Sequence, residues 1–250
     1  MNRFLTVWVI LVMFTGYPAL LSAQEGGWGR LAGEELFYDL SYGWIKGGEG
    51  HIRIHACSVD SAGFLRVVAG ARSTGIVALF RPVRDRYSVV FGEQDALPRM
   101  ARREVWQGRK HSTETLYFLD GNRRVRSSRS GDHLYPEPLF DVLSAFYQAR
   151  RFLAGITPDE NTLLVLPLFY DGRFFDLRLR YAGSFPVRGP EGKTQCALFV
   201  PVTDGNKTFT SEEQLQIWIT TDGRALPLKI HAKLPFGSLH CELKKVKRIL

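Results

Sequence analysis

Apolar and polar residues alternate with a period of two through most of this chain. Leu36-Phe37-Tyr38-Asp39-Leu40-Ser41-Tyr42 is one such run. His51-Ile52-Arg53-Ile54-His55-Ala56 is another, preceded by a Gly47-Gly48-Glu49-Gly50 turn. The pattern predicts strands with one face toward a core. Further strands are predicted over 64–71, 87–91, 99–106, 113–119 and 123–128, then over 163–170, 174–181, 194–202, 215–220, 228–234 and 238–246. Asp120-Gly121-Asn122, Asp171-Gly172-Arg173, Asp204-Gly205-Asn206 and Asp222-Gly223-Arg224 separate many of these runs. Short Asp-Gly links between alternating runs are hairpin signals. A series of hairpins gives an antiparallel meander, and one this long must curl or close to protect its edges. The expected fold is therefore all-β, a curled sheet or barrel in a single domain.

One segment departs from period two. Over 138–153, Leu139, Val142, Leu143, Phe146, Ala149 and Leu153 fall at helical spacing. Pro138 suits a first turn, Asp141 lies near the positive end of the helix dipole, and Arg150 and Arg151 lie near the negative end. This predicts one amphipathic helix against or inside the sheet, with 130–138 as a crossover. There is also an internal echo. Val89-Val90-Phe91 leads through a turn to Ala96-Leu97-Pro98-Arg99, and Ile217-Trp218-Ile219 leads to Ala225-Leu226-Pro227-Leu228. In both, Pro opens the returning strand where no ladder donor is needed.

The amino terminus changes what the composition means. Arg3 is the only charge before Glu25, Phe4 to Phe14 is apolar apart from Thr6, and Leu21-Ser22-Ala23 is a small-residue exit. This is the pattern of a secretory signal over 1–23, cleaved near Ala23. The apolar stretch is short for a membrane span. The expectation is a periplasmic protein, with peripheral attachment to the outer membrane one placement within that space, and contact with a membrane interior only as the precursor. The mature domain, 24–250, then has about 227 residues, and its formal charge is +7 rather than +8. Twelve basic residues against six acidic ones lie between Arg81 and Ser130. Arginine dominates there, and its fork suits phosphate, sulfate and carboxylate. An exported protein has little access to nucleic acid, which leaves anionic glycan, lipid head groups or another envelope protein as partners. Arg99, Arg102, Arg103, Arg109 and Lys110 are the candidate contacts, with Trp44, Phe174 and Trp218 as apolar ligand-facing residues. Lys244, Lys245, Lys247 and Arg248 read as a basic tail.

Export also bears on the cysteines, Cys57, Cys196 and Cys241. If a bridge forms in an oxidising space, Cys196–Cys241 is the pair; three buried thiols are the alternative. Asp60-Ser61-Ala62 resembles the short acceptor motif for O-glycosylation of exported proteins in some Gram-negative bacteria, which makes Ser61 a candidate. Catalytic signatures are missing: there is no nucleophile elbow, phosphate loop or dinucleotide fingerprint. No cofactor or metal is implied. His51 and His55 lie on one strand face, and His231 and His240 face outward on neighbouring strands without a carboxylate to complete a site. The reading is a non-enzymatic binding protein; an assembly factor and an enzyme acting on envelope polysaccharide are the alternatives.

Several segments resemble the DUF3108 family of uncharacterised exported bacterial proteins. They are Gly33 to Gly48 (GEELFYDLSYGWIKGG), Arg84-Asp85-Arg86-Tyr87, Asp141-Val142-Leu143-Ser144-Ala145-Phe146-Tyr147, and Trp218-Ile219 through Leu226-Pro227. The resemblance spans nearly the whole mature chain and implies an all-β meander, but it brings no activity and no catalytic residues. The last hairpin is also similar to hairpins in the periplasmic lipoprotein carriers (the LolA/LolB-like group), which are curved sheets that hold acyl chains with a helix as plug. That likeness concerns the fold and does not fix function.

Overall fold

The computed structural model describes residues 31–59, 62–80, 82–92, 97–202, 211, 214–234 and 237–248. The predicted signal segment, and Ser61 with it, lie outside these residues. Within them, eight strands precede the main helix: β1 (Glu34–Tyr42), β2 (Ile45–Val59), β3 (Ala62–Ser73), β4 (Val83–Gly92), β5 (Pro98–Gln107), β6 (Lys110–Leu119), β7 (Arg124–Ser127) and β8 (Gly131–Leu134). Six follow it: β9 (Leu163–Tyr170), β10 (Arg173–Gly189), β11 (Gly192–Pro201), β12 (Leu215–Thr220), β13 (Pro227–Leu234) and β14 (Gly237–Arg248). A short helix, α1 (Gly75–Phe80), links β3 to β4, and α2 (Val142–Ala154) links β8 to β9.

The strands form a single antiparallel sheet in the order β8-β7-β6-β5-β4-β3-β2-β1-β14-β13-β12-β11-β10-β9. Each half is a meander, and pairing of β1 with β14 joins them. The sheet curls without closing. Its edge strands β8 and β9 meet along a seam of side chains: His133 against Phe169 at 4.8 Å, and Tyr135 against Phe174 at 4.9 Å between ring centroids. An isolated parallel bridge, Phe140 with Leu168, sits at the same seam. Both open edges are thereby covered, which blocks edge-to-edge pairing. Pro167 sits in edge strand β9, where a residue without an N–H is tolerated.

Helix α2 fills the interior of the curl. Leu143 and Tyr147 pack with Val67, Val89, Phe91 and Leu116 of the first half, while Ala145, Ala149 and Leu153 pack with Leu166, Phe175, Phe199 and Ile219 of the second. The helix starts where its cap is. The Asp141 carboxylate accepts from the backbone N–H groups of Leu143 and Ser144, and the Ser144 hydroxyl accepts from the Asp141 N–H. Such caps contribute about 1 kcal/mol, so the helix begins at Val142 rather than at Pro138. Arg150, expected as a charge balancing the dipole, is instead buried. Its guanidinium donates to both Glu34 carboxylate oxygens, at 2.6 and 3.1 Å, and to the carbonyls of Ala225 and Arg224.

Other details differ from the sequence pattern. The Gly47 to Gly50 segment is not a turn but part of β2; the turn is Gly43-Trp44. Gly48 is needed within the strand because a Cβ there would lie 2.9 Å from the Arg72 carbonyl oxygen. The basic C-terminal residues are not a tail. They extend β14 against β1, with Glu35 opposite Lys247 and Glu34 opposite Arg248, cross-strand pairs of opposite charge. Strand β8 and helix α1 carry too little periodicity to be read beforehand. The internal echo does have a structural counterpart. Phe91 pairs with Pro98 and Ile219 with Pro227, each beside a register shift.

Candidate functional site at the mouth of the curl

Because every neighbouring pair is antiparallel, the turns alternate between the two ends of the sheet. One end carries the β1–β2 turn, α1, the β5–β6, β7–β8 and β9–β10 turns, and the start of α2. We refer to it as the mouth. Arg150, Glu34 and the β12–β13 turn lie at the opposite end.

Register builds the mouth row by row. Val89, Ala101 and Leu116 lie opposite one another on β4, β5 and β6 and are buried beside α2. Two residues toward the mouth, the same face presents Tyr87, Arg103 and Glu114, and the next row is Asp85, Val105 and Ser112. A hydrophobic row thus gives way to a charged one where the helix begins. Arg103, with its side chain only 12% exposed, donates to Glu114 at 3.0 Å and lies 3.5 Å from Asp171. Its guanidinium carbon sits 4.4 Å from the ring centroid of Tyr170, within cation–π range. The other Glu114 oxygen accepts from the Ser127 hydroxyl at 2.8 Å, and Arg129 reaches Asp171 at 3.2 Å. These contacts tie β5, β6 and β7 to the β9–β10 turn across the seam.

Three buried polar atoms in this cluster have no hydrogen-bond partner among the described residues: Asp85 Oδ1, Arg103 Nε and the Tyr170 hydroxyl. Burial pushes the Asp85 carboxyl up to about 6, against the opposing pull of the Trp106 amide and the Arg103 charge. Burial likewise pushes Tyr170 up to about 12, although Arg103 acts the other way. A shallow cleft opens over the cluster, lined among others by Tyr87, Arg103, Glu114, Asp141 and Tyr170. Arg84, Arg109, Lys110 and Arg173 are exposed at the same end.

The carboxylates here are largely committed. Glu114 is held by Arg103 and Ser127, Asp171 by two arginines, and Asp141 by the helix cap. Of one acid–base arrangement, a pair of carboxylates with separated roles, only Asp85 is left uncommitted among the described residues here. Among the described residues no group of His, Cys, Asp and Glu is arranged to hold a metal.

The five candidate cations do not form one patch. Arg103 is inside the mouth. Arg102, the next residue along the strand, points to the outer face and pairs with Glu104. Arg99 is exposed near the other end of β5, and Arg109 and Lys110 stand on the rim at the β5–β6 turn. Trp44 is on the rim and 93% exposed. Phe174 belongs to the seam rather than to a cavity, and Trp218 is half-buried with the Lys229 ammonium 5.9 Å from its ring. Cys196 and Cys241 are buried and free, the buried-thiol alternative to a bridge between them, while Cys57 is only partly buried. Strands β12 and β13 separate them in the sheet, and three strand spacings of about 4.8 Å exceed disulfide reach. His231 and His240 do stack, at 4.5 Å. Sequence reasoning missed Tyr87, Glu114, Tyr170 and Asp171, and gave Asp85 no role in a site. The available signal was alternation itself: Asp85 falls on the apolar row of β4, and Arg103 on that of β5.

The architecture defines a barrel-like protein, an open antiparallel sheet wound about one helix, consistent with the LolA-like fold. Among solved structures it is similar to the β-barrel-like protein of domain of unknown function DUF1849 from Brucella abortus. The TM-score is 0.55 at 11% identity, covering 88% of this chain and 99% of that one. A DUF1089 family protein from Pseudomonas aeruginosa aligns over 86% of this chain and 95% of its own, with TM-score 0.38 and 11% identity, too slight a likeness to carry an argument. A comparison with curated proteins finds no match. The chain belongs to the DUF3108 family, described as a protein of unknown function, whose profile matches residues 38–244.

Proposed function

We propose that this protein is an exported, non-enzymatic binding protein of the bacterial envelope, and that its ligand presents an anionic group at the mouth of the curl. The observation that carries the reading is the arrangement of charge there. The paired charges, Arg103 and Arg129 against Glu114 and Asp171, already match, so the excess lies in the exposed rim of Arg84, Arg109, Lys110 and Arg173. Such a rim attracts phosphate, sulfate or carboxylate groups without requiring them to enter the core. Because α2 fills the interior, the ligand is held at the mouth, unlike an acyl chain swallowed along the sheet. Commitment of the mouth carboxylates favours binding over hydrolysis, and the covered seam disfavours partner docking by strand addition.

Glycan and lipid head group share this chemistry, and experiment separates them. Native mass spectrometry of protein isolated from its own periplasm should show a co-purifying anionic glycan or lipid. In titrations at low salt, the double variant Arg109→Ala/Lys110→Ala should bind a soluble sulfated oligosaccharide about fivefold more weakly than the unmodified protein, a loss expected of exposed electrostatic contacts. No bound species, together with unchanged titration in the double variant, would remove this reading.

A further inference from the structure

Beside the charged cleft, the mouth exposes large apolar side chains that the fold does not use. Helix α1 buries none of its residues, and Ile76, Leu79 and Phe80 are 61%, 82% and 84% exposed. Trp44, in the neighbouring β1–β2 turn, is 93% exposed, and Tyr42 is 43% exposed. Lone exposed apolar residues need no explanation, but a cluster of this size marks a surface for something else.

The fold holds the cluster in place. Val77 of α1 sits on Gly47, where a Cβ would lie 2.7 Å from Val77 Cγ2, and the Thr74 N–H donates to the Gly47 carbonyl at 2.9 Å. The Gly108 N–H donates to Pro82 at 2.9 Å, which fixes the β5–β6 turn, with Arg109 and Lys110, beside the end of α1. The Gly43 N–H donates to Ser238 at 2.7 Å. Two backbone-anchored elements therefore project tryptophan, phenylalanine, leucine and isoleucine, with arginine and lysine alongside.

We propose that the mouth end docks on the surface of an anionic lipid bilayer. Trp44, Ile76, Leu79 and Phe80 enter the interfacial layer, and Arg84, Arg109 and Lys110 lie among the head groups. Charge complementarity selects this occupant. The cations beside the apolar tip match an anionic surface, and aromatic and aliphatic tips flanked by basic side chains suit the boundary between head groups and acyl chains. The proposal shares its rim cations with the reading above but adds an apolar contact that a soluble ligand does not need. Docking would present the Arg103 cleft directly to the membrane surface.

The test uses the purified protein and vesicles of phosphatidylcholine with and without phosphatidylglycerol. Co-sedimentation is expected with the anionic vesicles only, weakening as salt is raised, and accompanied by a blue shift of tryptophan emission that Trp44→Phe removes. Leu79→Ser/Phe80→Ser should reduce vesicle affinity at least tenfold. It should leave the thermal midpoint and binding of a soluble sulfated oligosaccharide unchanged, because these side chains bury nothing in the fold. Arg109→Ala/Lys110→Ala should weaken both partners. Failure to bind anionic vesicles at low salt, or full binding by the Leu79/Phe80 variant, would overturn the membrane proposal while leaving the soluble-ligand reading to stand on its own titration. Equal binding to vesicles lacking phosphatidylglycerol would also overturn it, as would capture of a protein partner by this tip without any vesicle binding.

Discussion

Arg150 and Glu34, 116 residues apart, meet in a two-pronged ion pair at 2.6 and 3.1 Å that ties the central helix to the first strand. Only 2% of the Arg150 side chain and 13% of the Glu34 side chain are exposed. Burial works against the Arg150 charge, but the Glu34 hydrogen bonds outweigh it and hold the guanidinium above its usual range. The same guanidinium satisfies the carbonyls of the β12–β13 turn, so one side chain joins the helix to both halves of the sheet. Arg150→Met should cost roughly 3–5 kcal/mol in urea unfolding, because it leaves a buried carboxylate uncompensated. Glu34→Gln should cost less, and the double variant should cost less than the sum of the two.

Asp85 gives a pH signature. Its folded-state value, about 6, is above the usual carboxylate range. Between about pH 4 and 6 the unfolded chain has lost this proton while the folded chain retains it. Asp85 therefore contributes a fall in stability as pH rises through that window, and no further change above it. Asp85→Asn should remove the fall, raising stability at pH 7.5 by at most on the order of 2–3 kcal/mol and changing little at pH 3.5. Thermal unfolding of both proteins across pH checks this; an equal gain at both pH values would contradict it.

The cysteines make a chemical prediction. Burial pushes Cys196 up to about 11 and Cys241 up to about 12, which suppresses the reactive thiolate. In native protein at pH 8, an alkylating reagent should modify Cys57, the half-exposed thiol, well before the other two. All three should react in denaturant. Peptide mapping after mild oxidation should find no Cys196–Cys241 bridge.

The seam can be opened selectively. Phe174 touches His133 and Tyr135 across the two sheet edges, and Phe169 of its own hairpin. Phe174→Ala should cost about 2 kcal/mol, below the value for a fully buried ring because this one is half-buried. Hydrogen exchange should rise first in β8 and β9, while β2 and β3 in the middle of the sheet stay protected.

Period-two alternation identified most of the strands, among them 163–170 and 215–220 with their observed bounds, and helical spacing identified α2. These succeeded because local periodicity is enforced by burial of one face. Strand β8 escaped because Gly131-Asp132-His133-Leu134 has almost no apolar face to display. The Gly47 to Gly50 segment misled because glycines at a close packing position look the same in sequence as glycines in a turn.

Local residue type and spacing dictate the antiparallel meander, the single interior helix and the concentration of arginine between Arg81 and Ser130. Each of these follows from residue type and spacing along one segment. Long-range packing sets the rest: Arg103 meets Glu114 and Asp171 while Arg102 faces outward, the cysteines stay apart, and Arg150 is buried against Glu34. Those outcomes depend on cross-strand register, on the order of strands in the sheet and on the winding that brings its two edges together. These are relations between segments far apart in the chain, and no local pattern encodes them.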